Sequence, residues 1–292
     1  MNSVGIDISK GRSTIAVMRP FGEVAISPFE VRHTDSELSE LARRLKSLNG
    51  ETRVVMEATG NYHAPVAKQL HDAGLYVSVV NAKLVHGYGN NDLRRVKTDR
   101  KDAIKLANYG LDRWLTLPRY IPEENTRLLL KNCYRQYRQY SKVQTVLKNN
   151  LISLLDMTFP NANRLFNSPA RADGSEKWVD FVAEFWHCEC VSERPLKSFV
   201  NKYWRWCRKH GYNFSEEKAH AIYDEASGHI GVMPKSETTK LLVEQAVSQL
   251  SATSAALAVL KQEMQSLSSQ LPEYPVVMDM FGAVSYTHLT LP

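Results

Sequence analysis

The sequence predicts an α/β unit built on a mixed sheet, followed by a long helical region. Three observations carry this. Short β-branched runs near the N-terminus follow one another in antiparallel succession. A strand, helix, strand succession comes next, with connections short enough to imply a parallel crossover. After Tyr109 the composition shifts, and residues 124–157 contain no Gly or Pro and are rich in Lys, Arg, Gln and Leu.

Residues 4–9, 13–18 and 24–31 read as the first three strands. Asp7 lies inside the first of them, where a carboxylate costs stability unless it is paired or coordinating. The turn-forming Ser9-Lys10-Gly11 that follows also allows an Asp that simply ends a strand. Residues 34–48 read as a helix with Thr34 and Glu37 as a capping box and Leu38, Leu41, Leu45 and Leu48 on one stripe. The buried-type strand 53–56 runs straight into Glu57 and a glycine-containing loop. A helix over 62–73, presenting Tyr62, Val66 and Leu70, ends at Gly74 and leads to the strand 76–80. Ligands of open α/β sheets gather outside the carboxyl ends of the strands, where Glu57 falls; a lone Glu there equally suits the N-terminus of the following helix.

The stretch Lys97-Thr98-Asp99-Arg100-Lys101-Asp102-Ala103 holds two carboxylates three residues apart among basic side chains. If it opens a helix, as Ala103, Ile104 and Ala107 suggest, Asp99 and Asp102 project from one face about one turn apart. An Asp N-cap with a second acid in the positive first turn accounts for the same residues. Asp7, Glu57, Asp99 and Asp102 are nevertheless four acids at strand or helix ends of one α/β unit, and the constellation carries more than any member.

In the helical region, residues 124–157 place Leu130, Tyr137, Gln144 and Leu151 at one heptad position and Cys133, Tyr140, Leu147 and Leu154 at the other. Residues 235–271 do the same with Val243, Leu250, Leu257, Met264 and Leu271, and with Ala246, Thr253, Leu260 and Leu267. Two such helices should pair, within one chain or across a dimer; ordinary bundle packing fits the pattern equally. Between them, 169–174 reads as a loop and 177–186 and 196–210 as short helices. The latter interleaves Lys202, Arg205, Arg208 and Lys209 with Tyr203, Trp204 and Trp206, a mixture suited to phosphates and unstacked bases. The alternative is a basic amphipathic helix whose Trp residues pack inward. His187, Cys188, Cys190, Cys207 and His210 make a zinc site conceivable, although their spacing is not the usual one and buried free cysteines are common. The expected division is 1–115, 116–272 and 273–292.

Of the 292 residues, 43% are hydrophobic and 23% charged, and the formal charge is +6. The pI near 9.0 points to a polyanionic partner. No apolar run approaches membrane-spanning length and the N-terminus lacks a signal pattern, so a cytoplasmic protein is expected. Converging carboxylates suit two Mg²⁺ ions, which clamp a scissile phosphate in an in-line displacement. Arg94, Arg95, Lys97, Arg100 and Lys101 would meet the flanking nucleic-acid backbone.

The motifs Gly5-Ile6-Asp7-Ile8-Ser9-Lys10, Met56-Glu57-Ala58-Thr59-Gly60-Asn61-Tyr62 and Lys97 to Ala103, in this order, resemble those of the DEDD transposases of the insertion-sequence-110 family. The resemblance implies a ribonuclease-H-like (RuvC-like) domain followed by a coiled coil. It also implies Asp7, Glu57, Asp99 and Asp102 as a Mg²⁺-binding catalytic tetrad, DNA recombination with a structured guide RNA, and oligomers formed through the heptad helices. Family members continue into a domain that supplies a serine nucleophile. Here the match is expected to end near Val284, with 285–292 as foreign sequence, so that the chain would bind metal without completing the reaction. Three other readings stand beside this one. A sugar-kinase or actin-like ATPase would want Gly and Thr after the first acid and a second Asp-x-Gly loop, and both are missing. The others are a self-associating nucleic-acid-binding fragment without catalysis and a structure-specific nuclease that uses water.

Overall fold

The computed structural model describes residues 1–88, 98–229 and 231–280, and the chain divides into two compact units, Met1–Pro122 and Glu123–Pro292. The first unit opens with β1 (Asn2–Ser9), β2 (Arg12–Arg19) and β3 (Glu23–Arg32), then α1 (Asp35–Lys46), β4 (Thr52–Glu57), α2 (His63–Asp72), β5 (Tyr76–Val80), α3 (Ala82–Gly87) and α4 (Asp99–Asp112). The strands form one sheet in the order β3-β2-β1-β4-β5. β1, β2 and β3 pair antiparallel, while β4 runs parallel to β1 and β5 parallel to β4. This is the ribonuclease-H-like arrangement that the motifs implied, and the crossovers through α1 and α2 explain its parallel half.

Alternation along β1 divides the sheet into two faces. Val4, Ile6 and Ile8 point to one face and pack with Leu38, Leu41 and Leu45 of α1 and with Val66 and Leu70 of α2. Ser3, Gly5 and Asp7 therefore point to the other face, which α4 covers. α4 buries Leu106 together with Ala103, Ala107 and Gly110, and these last three small residues let its backbone come down onto the sheet. A Cβ added at Gly5 would stand under 3.0 Å from the Ala103 carbonyl oxygen and the Ala107 nitrogen. One at Gly110 would meet Ser3 Oγ and Val55 equally closely. Glycine is required here by close approach, not by backbone angle.

Three local expectations change in detail. Thr34 caps α1, its hydroxyl accepting from the Glu37 N–H at 3.4 Å, but the Glu37 carboxylate accepts from the Arg32 N–H at 2.7 Å rather than from Thr34. The capping box is thus only half made, because β3 brings a donor of its own closer. Tyr62 is 44% exposed: it stands at the N-cap of α2, one residue before the helix turns its apolar face inward. The N-cap of α4 is Thr98, whose hydroxyl accepts from the Lys101 N–H at 3.3 Å, which places Asp99 and Asp102 in the first turn. Thr98→Ala should cost about 1 kcal/mol of stability by removing this cap, measurable by urea denaturation.

The second unit holds α5 (Asn125–Thr158), α6 (Lys177–Glu184), α7 (Glu189–Ser192), α8 (Leu196–His210), α9 (Glu216–Gly228), α10 (Glu237–Ser268) and the short α11 (Tyr274–Met278). α5 and α10 pack along each other, more extensively than any other two described elements. Val243, Leu250, Leu257, Met264 and Leu271 are all buried, whereas among the α5 heptad residues only Leu151 is, and Tyr140 is exposed. Gln144 Nε2 donates to Ser254 Oγ at 2.9 Å, a polar step inside the seam. The heptad pattern therefore describes how α10 is buried better than how α5 is.

The core of this unit is aromatic: Phe159, Phe181, Phe185, Phe199, Tyr203 and Trp206 are buried together with Leu151 and Leu155. α9 was not expected from the sequence, although its start carries the usual signal, Ser215 accepting from the Lys218 N–H at 3.1 Å ahead of Glu216 and Glu217.

Candidate active site

The sheet register brings the acids together. Ile6 of β1 pairs with Met56 of β4, so the next residues, Asp7 and Glu57, stand side by side at the carboxyl ends of parallel strands and on the face that α4 covers. Ala103 of α4 lies against Gly5, two residues before Asp7. Asp102 and Asp99 occupy the turn of α4 just ahead of that contact. All four acids line one cavity of about 500 Å³. The close approach at Gly5 thus sets how near the helix acids come to the strand acids. The N-terminus of α4 carries a partial positive charge that favours carboxylates in its first turn.

The cavity also has basic walls that no sequence pattern revealed. Lys83 and His86 of α3, and Lys105 of α4, line it with the acids. Lys105 Nζ donates to the His86 carbonyl at 3.5 Å, tying the two helices. α3 itself was not foreseen, yet Asn81 accepts from the Lys83 N–H at 2.9 Å as a helix N-cap. That Asn directly after a strand was the available signal.

The same frame is fastened on its far side. Tyr88, which ends α3, donates its hydroxyl to Asp112 of α4 and meets Tyr109 edge-on. Burial, reinforced by the Asp112 carboxylate, pushes the Tyr88 phenol up to about 12. A pKa raised on folding contributes stability that is complete below the unfolded value near 10 and lost as pH climbs through about 12. Burial also raises the phenols of Tyr203 and Tyr212, so absorbance at 295 nm should show more than one tyrosine ionising late, and Tyr88→Phe should remove one tyrosine's share of that late phase.

Chemically, the four acids fit a hard divalent cation, since every donor is a carboxylate oxygen. Their spacing is open. Among the described residues no group of three or more His, Cys, Asp or Glu side chains stands close enough to share one ion. One or two carboxylates per ion, with waters and substrate oxygens completing the shell, is a coordination Mg²⁺ commonly takes, and it does not require a closed cluster.

The basic residues divide. Arg100 and Lys101 are exposed on the first turn of α4, whereas Arg94, Arg95 and Lys97 lie outside the described residues. In the other unit, Lys202 of α8 pairs with Glu184 at 3.4 Å and stands over the Phe185 ring, and Arg208 stands over Trp204. Arg205 and Lys209 are exposed. Tyr203 and Trp206 are buried and only Trp204 of the interleaved aromatics is exposed, so two of these three rings belong to the core. The His187 ring accepts from the Glu189 N–H at 3.2 Å and contacts the Met233 carbonyl at 3.0 Å. Both of its nitrogens are thereby engaged, and the cysteines are free thiols.

The fold and the cavity define an α/β protein of the ribonuclease-H-like class with an acid-lined cleft at its strand ends. The chain belongs to the DEDD transposase family of insertion-sequence-110 type: residues 4–160 match that family's model, described as a transposase. Two relatives are pilin gene-inverting proteins, from Moraxella bovis and Moraxella lacunata, each 27% identical over 134 residues. The match covers 46% of this chain and spans 38% of those relatives' length. Among solved structures, Thermus thermophilus RuvC bound to a Holliday junction substrate is 13% identical at a TM-score of 0.30, covering 41% of this chain and 99% of that one. A second RuvC structure from the same organism is 17% identical at a TM-score of 0.27, covering 41% and 100%.

Proposed function

We propose that the first unit supplies the metal-binding carboxylates of a DNA recombinase. The observation that carries this reading is the single cavity lined by Asp7, Glu57, Asp99 and Asp102 from two strands and one helix. These residues would hold up to two Mg²⁺ ions, which when bound supply charge neutralisation at a phosphodiester. Asp7 and Glu57 are anchored in the sheet, so they fix the site; Asp99 and Asp102 ride on α4 and complete it. Lys83 and Lys105, on the cavity wall, bind and orient the phosphates flanking the scissile bond. The family membership supports this chemistry, and the relatives' names describe inversion of a gene, a DNA rearrangement.

The partners follow from the same reading: DNA of the mobile element and its target, a structured guide RNA, and further copies of the chain joined through α5 and α10. Arg100 and Lys101 stand ready for a phosphate backbone beside the acids. Activity is tested by incubating the chain with branched DNA and Mg²⁺. Cleavage that Asp7→Asn abolishes supports the metal-dependent reading, and cleavage that survives in Asp7→Asn refutes it. Products with a free 3′ hydroxyl and a 5′ phosphate would indicate water as nucleophile, whereas a DNA–protein adduct would indicate an attacking side chain.

A further inference from the structure

A cluster of cationic side chains stands in the helical unit. Three cationic side chains gather there on two aromatic rings. Arg171 lies over the Tyr212 ring at 3.9 Å from its centroid, Lys177 stands 5.0 Å from Tyr212 and 4.9 Å from Phe166, and Lys218 stands 5.7 Å from Phe166. No carboxylate comes within salt-bridge distance of any of the three among the described residues. Asp173 feels the Arg171 charge without pairing with it, and the other acids nearby are engaged elsewhere or stay apart. Asp180 accepts from the Tyr212 hydroxyl at 2.5 Å, Asp173 accepts from Ser175, and Glu216 and Glu217 at the start of α9 form no ion pair with the cations.

The arrangement runs against ordinary preferences. Lys177 is the first residue of α6 and Lys218 the third of α9, so both cations sit at helix N-termini, where the dipole disfavours positive charge. Lys177 is half-buried, and burial, helped by the neighbouring Lys218 and Arg171 charges, pulls its ammonium below its ordinary value. Each cation–π contact returns only about 0.5–1 kcal/mol at an exposed site. Arg171 is held by the carbonyls of His210 and Gly211 at 2.8 and 3.1 Å. Lys177 reaches only the Asn213 carbonyl, at 3.5 Å. What would complete the cluster is an anion, and helix N-termini with cations and flat rings are what phosphates and bases are held by.

We propose that Arg171, Lys177 and Lys218, set on Phe166 and Tyr212, form a binding site for the phosphate backbone of a nucleic acid. The cluster lies wholly within the helical unit and needs no metal.

The test uses the full chain in EDTA with a fluorescent DNA duplex of arbitrary sequence, its affinity read by anisotropy across roughly 50–200 mM salt. The double variant Lys177→Gln/Lys218→Gln should flatten the plot of log affinity against log salt by about 1–2, near 0.9 for each phosphate that is no longer neutralised. Lys197→Gln, at the opposite end of α8, should leave the slope unchanged. A double variant that binds with the wild-type slope overturns the site, and if it also melts at a lower temperature the lysines serve packing alone. Poly-glutamate that displaces the DNA at equal charge concentration overturns it in favour of an acidic protein partner. Because no divalent ion is present, the outcome is independent of Asp7→Asn and of the acid cavity.

Discussion

Gly5→Ala should lower the stability of the N-terminal unit by about 1–3 kcal/mol, the usual cost of overpacking a filled interior, and weaken divalent-metal binding with it. The new Cβ would have to enter space held by the Ala103 carbonyl and the Ala107 nitrogen, both backbone atoms of α4. Neither can swing aside as a flexible side chain would, so the helix has to lift. Asp102 precedes Ala103, and lifting α4 carries Asp102 and Asp99 away from Asp7 and Glu57. Urea denaturation reads the first effect. A thermal-shift titration with Mg²⁺ or Mn²⁺ reads the second, with Ala42→Gly on α1 as a control that loosens the opposite face without touching α4. Wild-type metal response in a destabilised Gly5→Ala chain would mean that the helix does not set the spacing of the acids.

Asp102→Asn and Glu57→Gln should separate function from stability. Each removes one carboxylate from the cavity while leaving shape and hydrogen-bonding capacity nearly intact, and each should reduce divalent-ion affinity by about 10–100-fold or more. An ion bound only by the folded chain adds about 2.7 kcal/mol at a concentration 100 times its Kd. At that concentration a 10-fold loss of affinity leaves about 1.4 kcal/mol and a 100-fold loss about 0.4 kcal/mol, so the variants should gain about half of the parent's shift in melting temperature or less. Without metal, neither substitution should cost more than about 0.5 kcal/mol, since both side chains are at least partly exposed.

Much of this was legible in the sequence, for identifiable reasons. β1, β4 and β5 are β-branched runs bounded by turn residues, and the Leu38, Leu41 and Leu45 stripe of α1 has no competing period. Asp7 stood out because an acid inside an apolar strand is costly unless it is paired or coordinating, and Glu57 because ligands of open α/β sheets gather at the carboxyl ends of strands. The register that sets them side by side was not legible, because it depends on strand pairing between segments distant in the chain. The role of Gly5 was equally hidden, since a glycine in a strand does not say which backbone approaches it. Lys83 and His86 were missed because α3 is short and weakly periodic, and Lys105 because nothing local shows that this face of α4 lines the cavity. On α8 the alternation of cations and aromatics looked like a nucleic-acid surface, but Tyr203 and Trp206 are three residues apart on the buried side of the helix, and three-residue spacing is also how a core face reads. The cation cluster on Phe166 and Tyr212 draws on a loop and two helices, so no local pattern announced it.

Asp7, Glu57, Asp99 and Asp102 are proposed to act together on divalent metal. Calorimetric titration of Mn²⁺ into the chain and into its four single variants, Asp7→Asn, Glu57→Gln, Asp99→Asn and Asp102→Asn, tests it most directly. The predicted result is saturable binding by the parent chain that every one of the four substitutions weakens. Binding that all four variants retain at the parent's strength, or a parent chain that binds no metal, would contradict it.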